Sequence, residues 1–528
     1  MSNITKLVLL LLASLSGTLS LNASDASRPN ILFAIADDWG LHAGAYGTPW
    51  VKTVAFDRVA REGLLFRNAY TPMAKCAPSR AILLTGRHLW QNEEAGNHLA
   101  VFPPKLKSWP EVLMEKGWHV GITGKGWGPG IANDIHGKPR AITGNRFDKF
   151  RSAPPAQAMD NNDYAANFKN FLDVAPTDTP WCFWYGSTEP HRPYEFQVGV
   201  NKGGKQLEDI DRVPSYWPDN TTVRHDMLDY AFEVEHMDNH LGRMLDELEH
   251  RGLLDNTLVI VTSDHGMPFP RVKGYAYHDS NHIPLAIRWP IGMKHPGRVV
   301  DDFVDFTDLA ATILDYGDIP WNNSGMMPIT GKSWRPILDS HLSGRIVPER
   351  DHVLIGKERT DVGRPNNAGY PIRGIVTSEF LYLCNYEPSR WPAGNPETGY
   401  LDTDGSPTKS NILQIGRTDR ANLFWRLNFG LRPDQELFDL NIDRDCIHNV
   451  ASASGMEPYA IALRQRMEKM LQSQGDPRMD GRGDVFDKYS PTTGDGFYEK
   501  FMRGEAVNAG WVEPTDFEQP SQAPIPKS

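Results

Sequence analysis

The strongest constraint in this sequence is a pattern that occurs four times: a short, almost wholly apolar, β-prone run that stops at a polar cluster. Run 31–36 stops at Asp37 and Asp38, and run 119–123 at Gly124 and Lys125. Run 181–186 is followed by Glu189, His191 and Arg192, and run 258–262 by Asp264 and His265. Strands without polar alternation are buried on both faces, as in parallel sheets covered by helices on either side. In such folds ligands bind beyond the carboxyl ends of the strands, where all four clusters fall. Helical patterns lie between the runs. Segment 107–116 has Ser108 as a cap, Pro110 in its first turn and Gly117 as its stop. Segment 225–250 sets Leu228, Phe232, Leu241, Leu245 and Leu248 on one stripe. The fold class is α/β.

A length of 528 residues suits one large α/β domain with a smaller one, or two to three ordinary domains. After about residue 350 the pattern changes. Segment 374–386 reads as a hairpin turning at Ser378 and Glu379, 436–440 as a further strand, and 458–472 as a closing helix. Beyond Gly475 there is little periodicity, and a tail that wraps the surface or is partly mobile is expected. At the other end, Lys6 precedes an apolar run over 7–15 and then small residues over 16–27. That order predicts a secretory signal cleaved near Ala23 or Ala26, on a run too short for a comfortable membrane span. No Cys precedes Cys76, so no lipoprotein anchor is expected. The expected division is a signal over 1–26, a large catalytic domain over 27–350, a C-terminal subdomain over 351–475 and a tail over 476–528. Export to the periplasm or the cell exterior follows, with no membrane attachment after cleavage. The net charge of −11 argues against a broad nucleic-acid footprint, so any bound anion must be held by a few local cations. Four Cys in this length exclude a disulfide scaffold, and the lack of a Cys-x-x-Cys pair or a Cys/His cluster argues against a structural zinc site.

The most informative stretch is Cys76-Ala77-Pro78-Ser79-Arg80, running on to Thr85 and Gly86. Pro78 and Gly86 bracket a short helix with Cys76 at its start, where free N–H groups and the helix dipole favour an anion. Arg80 lies one turn on and can face the same point. Alone, a Cys before a helix is most often a buried structural residue. Here the surroundings change that reading. The stretch resembles the signature of the type I, formylglycine-dependent sulfatases of the alkaline phosphatase superfamily: Cys-x-Pro-Ser-Arg followed by Leu-Thr-Gly. The Asp37-Asp38 pair and Ser263-Asp264-His265-Gly266 resemble the family's metal motifs. Lys273 with Tyr277, Pro284 and Leu285 resembles a further motif downstream. The resemblance runs from Arg28 to about Asn449. The branch it is most similar to is the N-sulfoglucosamine sulfohydrolases, on segments 64–71, 256–264 and 267–270.

The resemblance implies a large α/β/α sandwich with a mixed, mostly parallel sheet. A smaller C-terminal α+β subdomain carries a short antiparallel sheet and a helix. It implies that a formylglycine-generating or sulfatase-maturing enzyme converts Cys76 to formylglycine, an aldehyde whose hydrate supplies the nucleophilic oxygen. It implies calcium on Asp37, Asp38, Cys76, Asp264 and His265. Independently, three clustered carboxylates repel one another unless a cation sits among them, and hard oxygen ligands favour calcium or magnesium. His265 replaces the usual Asn, and imidazole is a less typical calcium ligand. The catalytic set carried over is Cys76, Arg80, Lys125, His191 and Lys273, with both lysines on the sulfate oxygens and His191 as general acid.

The sequence also departs from the family. The usual Lys-x-His is here Lys125-Gly126-Trp127, and indole cannot accept or shuttle a proton. His278 and His282 stand where many relatives have Glu and Arg. Trp127, His278 and His282 are expected to shape the substrate pocket; Arg390, Trp391, Asp402, Asp404 and Lys409 of the second region are residue types that suit a sugar pocket, in loops whose geometry the sequence does not give. The expected function is an exported sulfatase acting on sulfated carbohydrate. The altered pocket favours O-sulfate esters over N-sulfoglucosamine. The alternatives are a phosphatase or phosphonate hydrolase of the same superfamily, and a non-catalytic glycan-binding protein with Cys76 unconverted.

Overall fold

The computed structural model describes residues 28–518. The expected signal segment and the end of the tail lie outside the described residues.

The main sheet has eight strands: β1 (Asn30–Ala36), β2 (Leu64–Tyr70), β3 (His119–Gly124), β4 (Asn145–Arg146), β5 (Trp181–Gly186), β6 (Thr257–Ser263), β7 (Leu285–Arg288) and β8 (Arg298–Asp305). Their order is β8-β2-β7-β6-β1-β5-β3-β4. Strand β7 runs antiparallel to both neighbours and the remaining pairs are parallel, so the sheet is mixed and mostly parallel, as read. Strand β1 is central and fully buried. Its apolar run has no polar face because both faces are covered. Seven helices matter here: α1 (Val54–Glu62), α2 (Cys76–Thr85), α3 (Trp109–Glu115), α4 (Tyr164–Val174), α5 (Thr221–His250), α6 (Thr307–Tyr316) and α7 (Glu457–Ser473). Leu32, Ala34 and Ala36 face a core built with α1, α4 and α5. Ile31, Phe33 and Ile35 face a second core built with α2, α3 and α6.

Local chemistry sets the helix ends. The Ser108 hydroxyl accepts from Glu111 N, and the Glu111 carboxylate accepts from Ser108 N at 2.9 Å, a reciprocal cap for α3. Helix α5 starts earlier than its apolar stripe, because Asn220 Oδ1 caps it by accepting from Val223 N at 3.1 Å. Helix α2 stops at Gly86, where φ is +69°. A Cβ there would also meet Ile329 Cγ2 at 2.9 Å, so the stop needs glycine twice over.

A second sheet of four antiparallel strands follows: β9 (His352–Lys357), β10 (Ile372–Thr377), β11 (Phe380–Asn385) and β12 (Gln435–Asp439). The β10–β11 hairpin turns at Ser378 and Glu379, as read. Leu354, Ile375 and Leu437 share a core with Met467 and Leu471 of α7, while Val353, Ile355 and Leu383 on the other face join the core of the main sheet. The four Cys are free and buried. Among the described residues no helix is long and apolar enough to cross a membrane.

The described part of the tail is packed, with Phe486, Phe497 and Val512 buried. Trp511 Nε1 donates to Leu401 O at 3.0 Å. Phe486 and Phe497 are single anchors on helices of four and six residues, too short to leave a periodic pattern, and Trp511 and Val512 lie in a turn.

Phe33 is fully buried and meets Trp184 and Trp109 edge-on, at 4.8 and 6.1 Å between ring centroids. Phe33→Ala is expected to cost about 3–5 kcal/mol by leaving a cavity at the sheet centre. Calorimetric unfolding checks this; an unchanged midpoint would contradict the packing described.

Candidate active site

The parallel register sets Ala36 of β1 opposite Ser263 of β6. The residues that follow therefore emerge side by side. Asp38 adopts a left-handed backbone with φ +72°, and its N–H donates to Asp264 Oδ1 at 3.0 Å. Trp39 N donates to Ser263 Oγ at 2.7 Å. Helix α2 arrives above this pair of loops. Its Ser79 hydroxyl donates to Asp264 O at 2.6 Å, which ties the helix start to the β6 loop. Cys76 Sγ then lies 3.5 Å from His265 Nε2 and 3.9 Å from Asp38 Oδ1.

Three cations close around these carboxylates. Arg80 Nε donates to Asp264 Oδ2 at 2.8 Å, its Nη1 donates to Gly126 O at 2.9 Å, and its Nη2 lies 3.5 Å from Asp37 Oδ1. Lys125, at the end of β3, pairs with Asp37 Oδ2. Lys273 Nζ donates to Asp38 Oδ2 at 2.7 Å, to Asp404 Oδ2 at 2.6 Å and to His191 Nε2 at 3.0 Å. The His191 Nδ1–H donates to Arg192 O at 2.6 Å, which fixes the ring and turns Nε2 toward Lys273.

The electrostatics follow from burial and neighbours. Burial alone raises Asp38, but Lys273, His191 and His265 outweigh it and hold the group well below the ordinary carboxylate range. The same balance lowers Asp37, through Lys125, His191 and Arg80. Burial dominates at Asp264 and raises it. Asp264 and Asp38 raise His265 against its burial.

These residues fit a divalent cation. Asp37, Cys76, Asp264 and His265 bring ligand atoms within 4.8 Å of one another, and so do Asp37, Asp38, Cys76 and His191. Buried Asp37 Oδ1 has no hydrogen-bond partner. His265 Nδ1 lies 2.9 Å from Gly266 O, which can only accept, so Nδ1 carries the proton. Nε2 lies 2.9 Å from Asp38 Oδ1 and donates to it in the protonated ring; a metal ion would take the place of that proton, with Nε2 as its ligand beside Asp38 and Cys76.

A small pocket of about 190 Å³ opens onto Cys76. Lys125, His191 and Lys273 line it, together with Lys75, His98, Asp361, Asp404 and Trp511. Thus the structure brings Cys76, Lys125, His191 and Lys273 to one cavity. Arg80, Asp37, Asp38, Asp264 and His265 lie buried around Cys76.

Three expected pocket residues lie elsewhere. Trp127 folds back against Phe102, with ring centroids 5.3 Å apart, and its Nε1 donates to Ala77 O at 2.9 Å. A buried indole N–H needs an acceptor, and the first turn of α2 supplies it, so Trp127 braces that helix and does not line the Cys76 pocket. His278 and His282 line a different, larger cavity of about 600 Å³ beside β2. His282 stacks on Tyr70 at 4.6 Å, lies 3.1 Å from His278, and donates to Arg67 O at 2.6 Å. Burial holds both rings below the ordinary value, His278 at about 3. These bonds to β2 turn the pair away from Cys76.

In the second region Asp404 reaches the pocket, and the other expected residues do not line it. Asp402 is held by Arg364 at 2.6 Å and Lys357 at 3.1 Å. Lys409 donates to the carbonyls of Gly399 and Thr403, each at 2.8 Å. Arg390 donates to Asp487 at 2.9 Å, and Trp391 packs on Trp425 at 6.4 Å. Lys75, His98, Asp361 and Trp511 were not singled out by sequence reasoning. Only Lys75 stands beside a motif residue; the others reach the pocket through tertiary packing.

Comparison with known proteins agrees with this geometry. The sulfatase family model matches residues 29–319, and the chain belongs to that family, whose members hydrolyse sulfuric esters. It is 27% identical over 484 residues to the human N-sulphoglucosamine sulphohydrolase, across 85% of this chain and 91% of the relative. It is 24% identical over 506 residues to an ulvan-active sulfatase of Formosa agariphila, across 85% of this chain and 76% of the relative. A solved structure in complex with its substrate D-glucosamine-2-N,6-O-disulfate shares the fold with a TM-score of 0.60 at 18% identity, across 86% of this chain and all of the other.

Lys273→Ala leaves Asp38 and Asp404 buried without their shared cation, at an expected cost of about 3–5 kcal/mol. Burial raises Asp404, but Lys273, Lys75 and His191 outweigh it and hold it below its ordinary 3.8. The stability from this pairing is therefore present above pH 3.8 and is lost as pH falls through the depressed folded value. Urea unfolding at several pH values should show the gap between wild type and Lys273→Ala narrowing below about pH 4; a gap independent of pH would contradict the pairing.

Proposed function

We propose that this chain is an exported, metal-dependent sulfatase that removes sulfate from sulfated carbohydrate at Cys76. The observation that carries the reading is the convergence of Cys76, Lys125, Lys273 and His191 on one pocket above a carboxylate cluster suited to a divalent cation. A sulfate group needs a nucleophile, positive charge at its oxygens and a proton for the departing atom. Lys125 is anchored by buried Asp37 and offers its remaining N–H donors to the sulfonyl oxygens; Lys273 gives two donors to Asp38 and Asp404 and its third to His191 Nε2, and that third is freed for a sulfonyl oxygen when Nε2 takes up a proton. Arg80 holds the helix start against the Asp264 loop, so the attacking position is fixed before substrate arrives. His191 keeps its Nδ1 proton on Arg192 O, so Nε2 is the atom that takes up a proton and passes it to the leaving group. Conversion of Cys76 to formylglycine by a maturing enzyme supplies the attacking oxygen as the aldehyde hydrate. Calcium held by Asp37, Asp38, Asp264, His265 and the modified residue 76 would add positive charge at the sulfonyl oxygens.

The activities of the relatives support a sugar substrate: N-sulphoglucosamine for the human protein and ulvan for that of Formosa agariphila. The pocket volume lies below the roughly 300–1,000 Å³ usual for drug-sized ligands, which favours one terminal sugar over an enclosed oligosaccharide. The preference for O-sulfate rested on Trp127, His278 and His282, and none of them lines this pocket. The His191 and Lys273 arrangement serves an oxygen or a nitrogen leaving atom alike. Export rests on the N-terminal apolar run.

Cys76→Ala is expected to abolish turnover with the fold retained, and the wild-type Cys76 peptide should carry an aldehyde in mass spectrometry. Chelation should remove activity and calcium should restore it; full turnover by verified metal-free protein would sink the metal role. His191→Ala should slow a sugar sulfate about 10²–10⁴-fold and an activated aryl sulfate far less, because the latter needs little protonation. Glucosamine N-sulfate and glucosamine 6-sulfate, assayed beside sulfated algal oligosaccharides, identify the bond cut. Release of phosphate in place of sulfate, or binding without turnover, would overturn the assignment.

A further inference from the structure

The sulfate machinery shares the Cys76 pocket with His98 and Asp361. His98 is 7% exposed, and neither ring nitrogen has a hydrogen-bond partner. Buried polar side-chain atoms are nearly always paired. Both nitrogens lie sealed behind the pocket surface, so this pocket-lining ring keeps bonding capacity that a ligand completes once the ring turns toward it. The backbone around the ring is clamped: His98 N donates to Arg359 O at 2.9 Å, and Arg359 N donates to Asn97 Oδ1 at 3.1 Å. Asp361 Oδ2 stands 4.0 Å from His98 Nδ1 and 3.9 Å from Lys75 Nζ, beyond hydrogen-bond reach of either. Its other oxygen accepts from Val362 N at 3.0 Å.

We infer that His98 and Asp361 are specificity-determining residues that read uncharged hydroxyl groups on the sugar ring bearing the scissile sulfate. This inference rests on the sulfated-carbohydrate reading above. Burial, with Lys75, Lys273 and Lys125 nearby, holds His98 well below its ordinary value, so the ring is neutral and offers one N–H donor and one lone pair. Burial raises Asp361 to about 7, so this carboxyl both donates and accepts near neutral pH. A donor and an acceptor side by side match a sugar hydroxyl, which is both. A second sulfate on the same side of the ring would instead meet Asp361 and the ionised Asp404. Trp511 from the tail adds an aromatic surface to the same wall, suited to the C–H face of a pyranose.

The test compares wild type, His98→Ala, His98→Gln and Asp361→Asn on 4-nitrophenyl sulfate and on whichever sulfated glucosamine the wild type cleaves fastest. That sugar is also assayed as a series of deoxy analogues, each lacking one ring hydroxyl. The variants are expected to lose about 10- to 100-fold in kcat/KM on the sugar, at least about tenfold more than on the aryl sulfate. One deoxy analogue should be a correspondingly poor substrate for the wild type and suffer little further loss in the variant, because both changes remove the same bond. Equal losses on both substrate classes would make the pair structural or catalytic and overturn the inference. So would a deoxy series that the wild type cleaves as well as the parent sugar, a result independent of whether any variant folds. If the wild type cleaves the aryl sulfate and no sugar, the inference falls while the sulfatase assignment stands. If it cleaves neither with residue 76 converted, the proposed function falls and the inference with it.

Discussion

Three carboxylates, those of Asp37, Asp38 and Asp264, emerge from the ends of two adjacent parallel strands with essentially no solvent exposure, and Asp404 joins them from the second region. Like charges at this spacing and burial cannot stand uncompensated. The positions of Arg80, Lys125, Lys273 and His265 follow from that requirement. Each cation is placed where a carboxylate would otherwise be unpaired, and each carboxylate in turn holds a cation that is needed at the pocket. Asp37 Oδ1 keeps a free lone pair, and Arg80 Nη2 has no hydrogen-bond partner. The cluster is thus nearly, and not wholly, satisfied by protein groups, which is the state expected of a site built to hold a cation and an anion.

The fold explains why such a cluster can exist. Parallel neighbours end at the same edge, so Asp38 and Asp264 come within hydrogen-bond reach without either strand bending. Helices on both faces exclude water beneath the edge, which strengthens every charge interaction there. Helix α2 must then arrive from above with its start over the gap. Ser79 and Arg80 fix that approach from within the helix, and the Trp127 indole holds the carbonyl of Ala77 from outside.

The main-sheet strands were legible because a run buried on both faces needs apolar residues throughout, and 31–36 and 181–186 show that requirement directly. Caps such as Ser108 and stops such as Gly86 were legible because they answer to local chemistry. The residues that gather around Cys76 were legible from motif spacing. Side-chain direction was not. Trp127 follows Lys125 by two residues, yet its ring turns away from the pocket to satisfy an indole N–H that no local pattern discloses. His278 and His282 sit on a four-residue helical turn whose partner is β2, a contact set by tertiary packing. The tail was illegible for a different reason: single buried aromatics such as Phe486 and Phe497, on very short helices, carry no period.

The groups that line the pocket differ in origin, and this difference bears on how specificity can change. The sulfate-binding part is made of strand ends and the first turn of α2, held by a dense buried ion network. The sugar-reading part is assembled from loops and the tail. Arg373, fully buried on β10, pairs with Asp476 at 2.6 Å and with Glu358 at 2.8 Å, and so ties the start of the tail to the loop after β9. The next residue in that loop, Arg359, clamps His98. Asp361 follows two residues later, and Trp511 reaches the same wall from further along the tail. A substitution in this outer assembly can move the sugar-reading groups without disturbing Asp37, Asp38 or Lys273. Loops carried on a rigid scaffold vary at little cost to the core. The chemistry of sulfate removal and the choice of sugar are therefore separable in this architecture, with the Arg373 network as the joint between them.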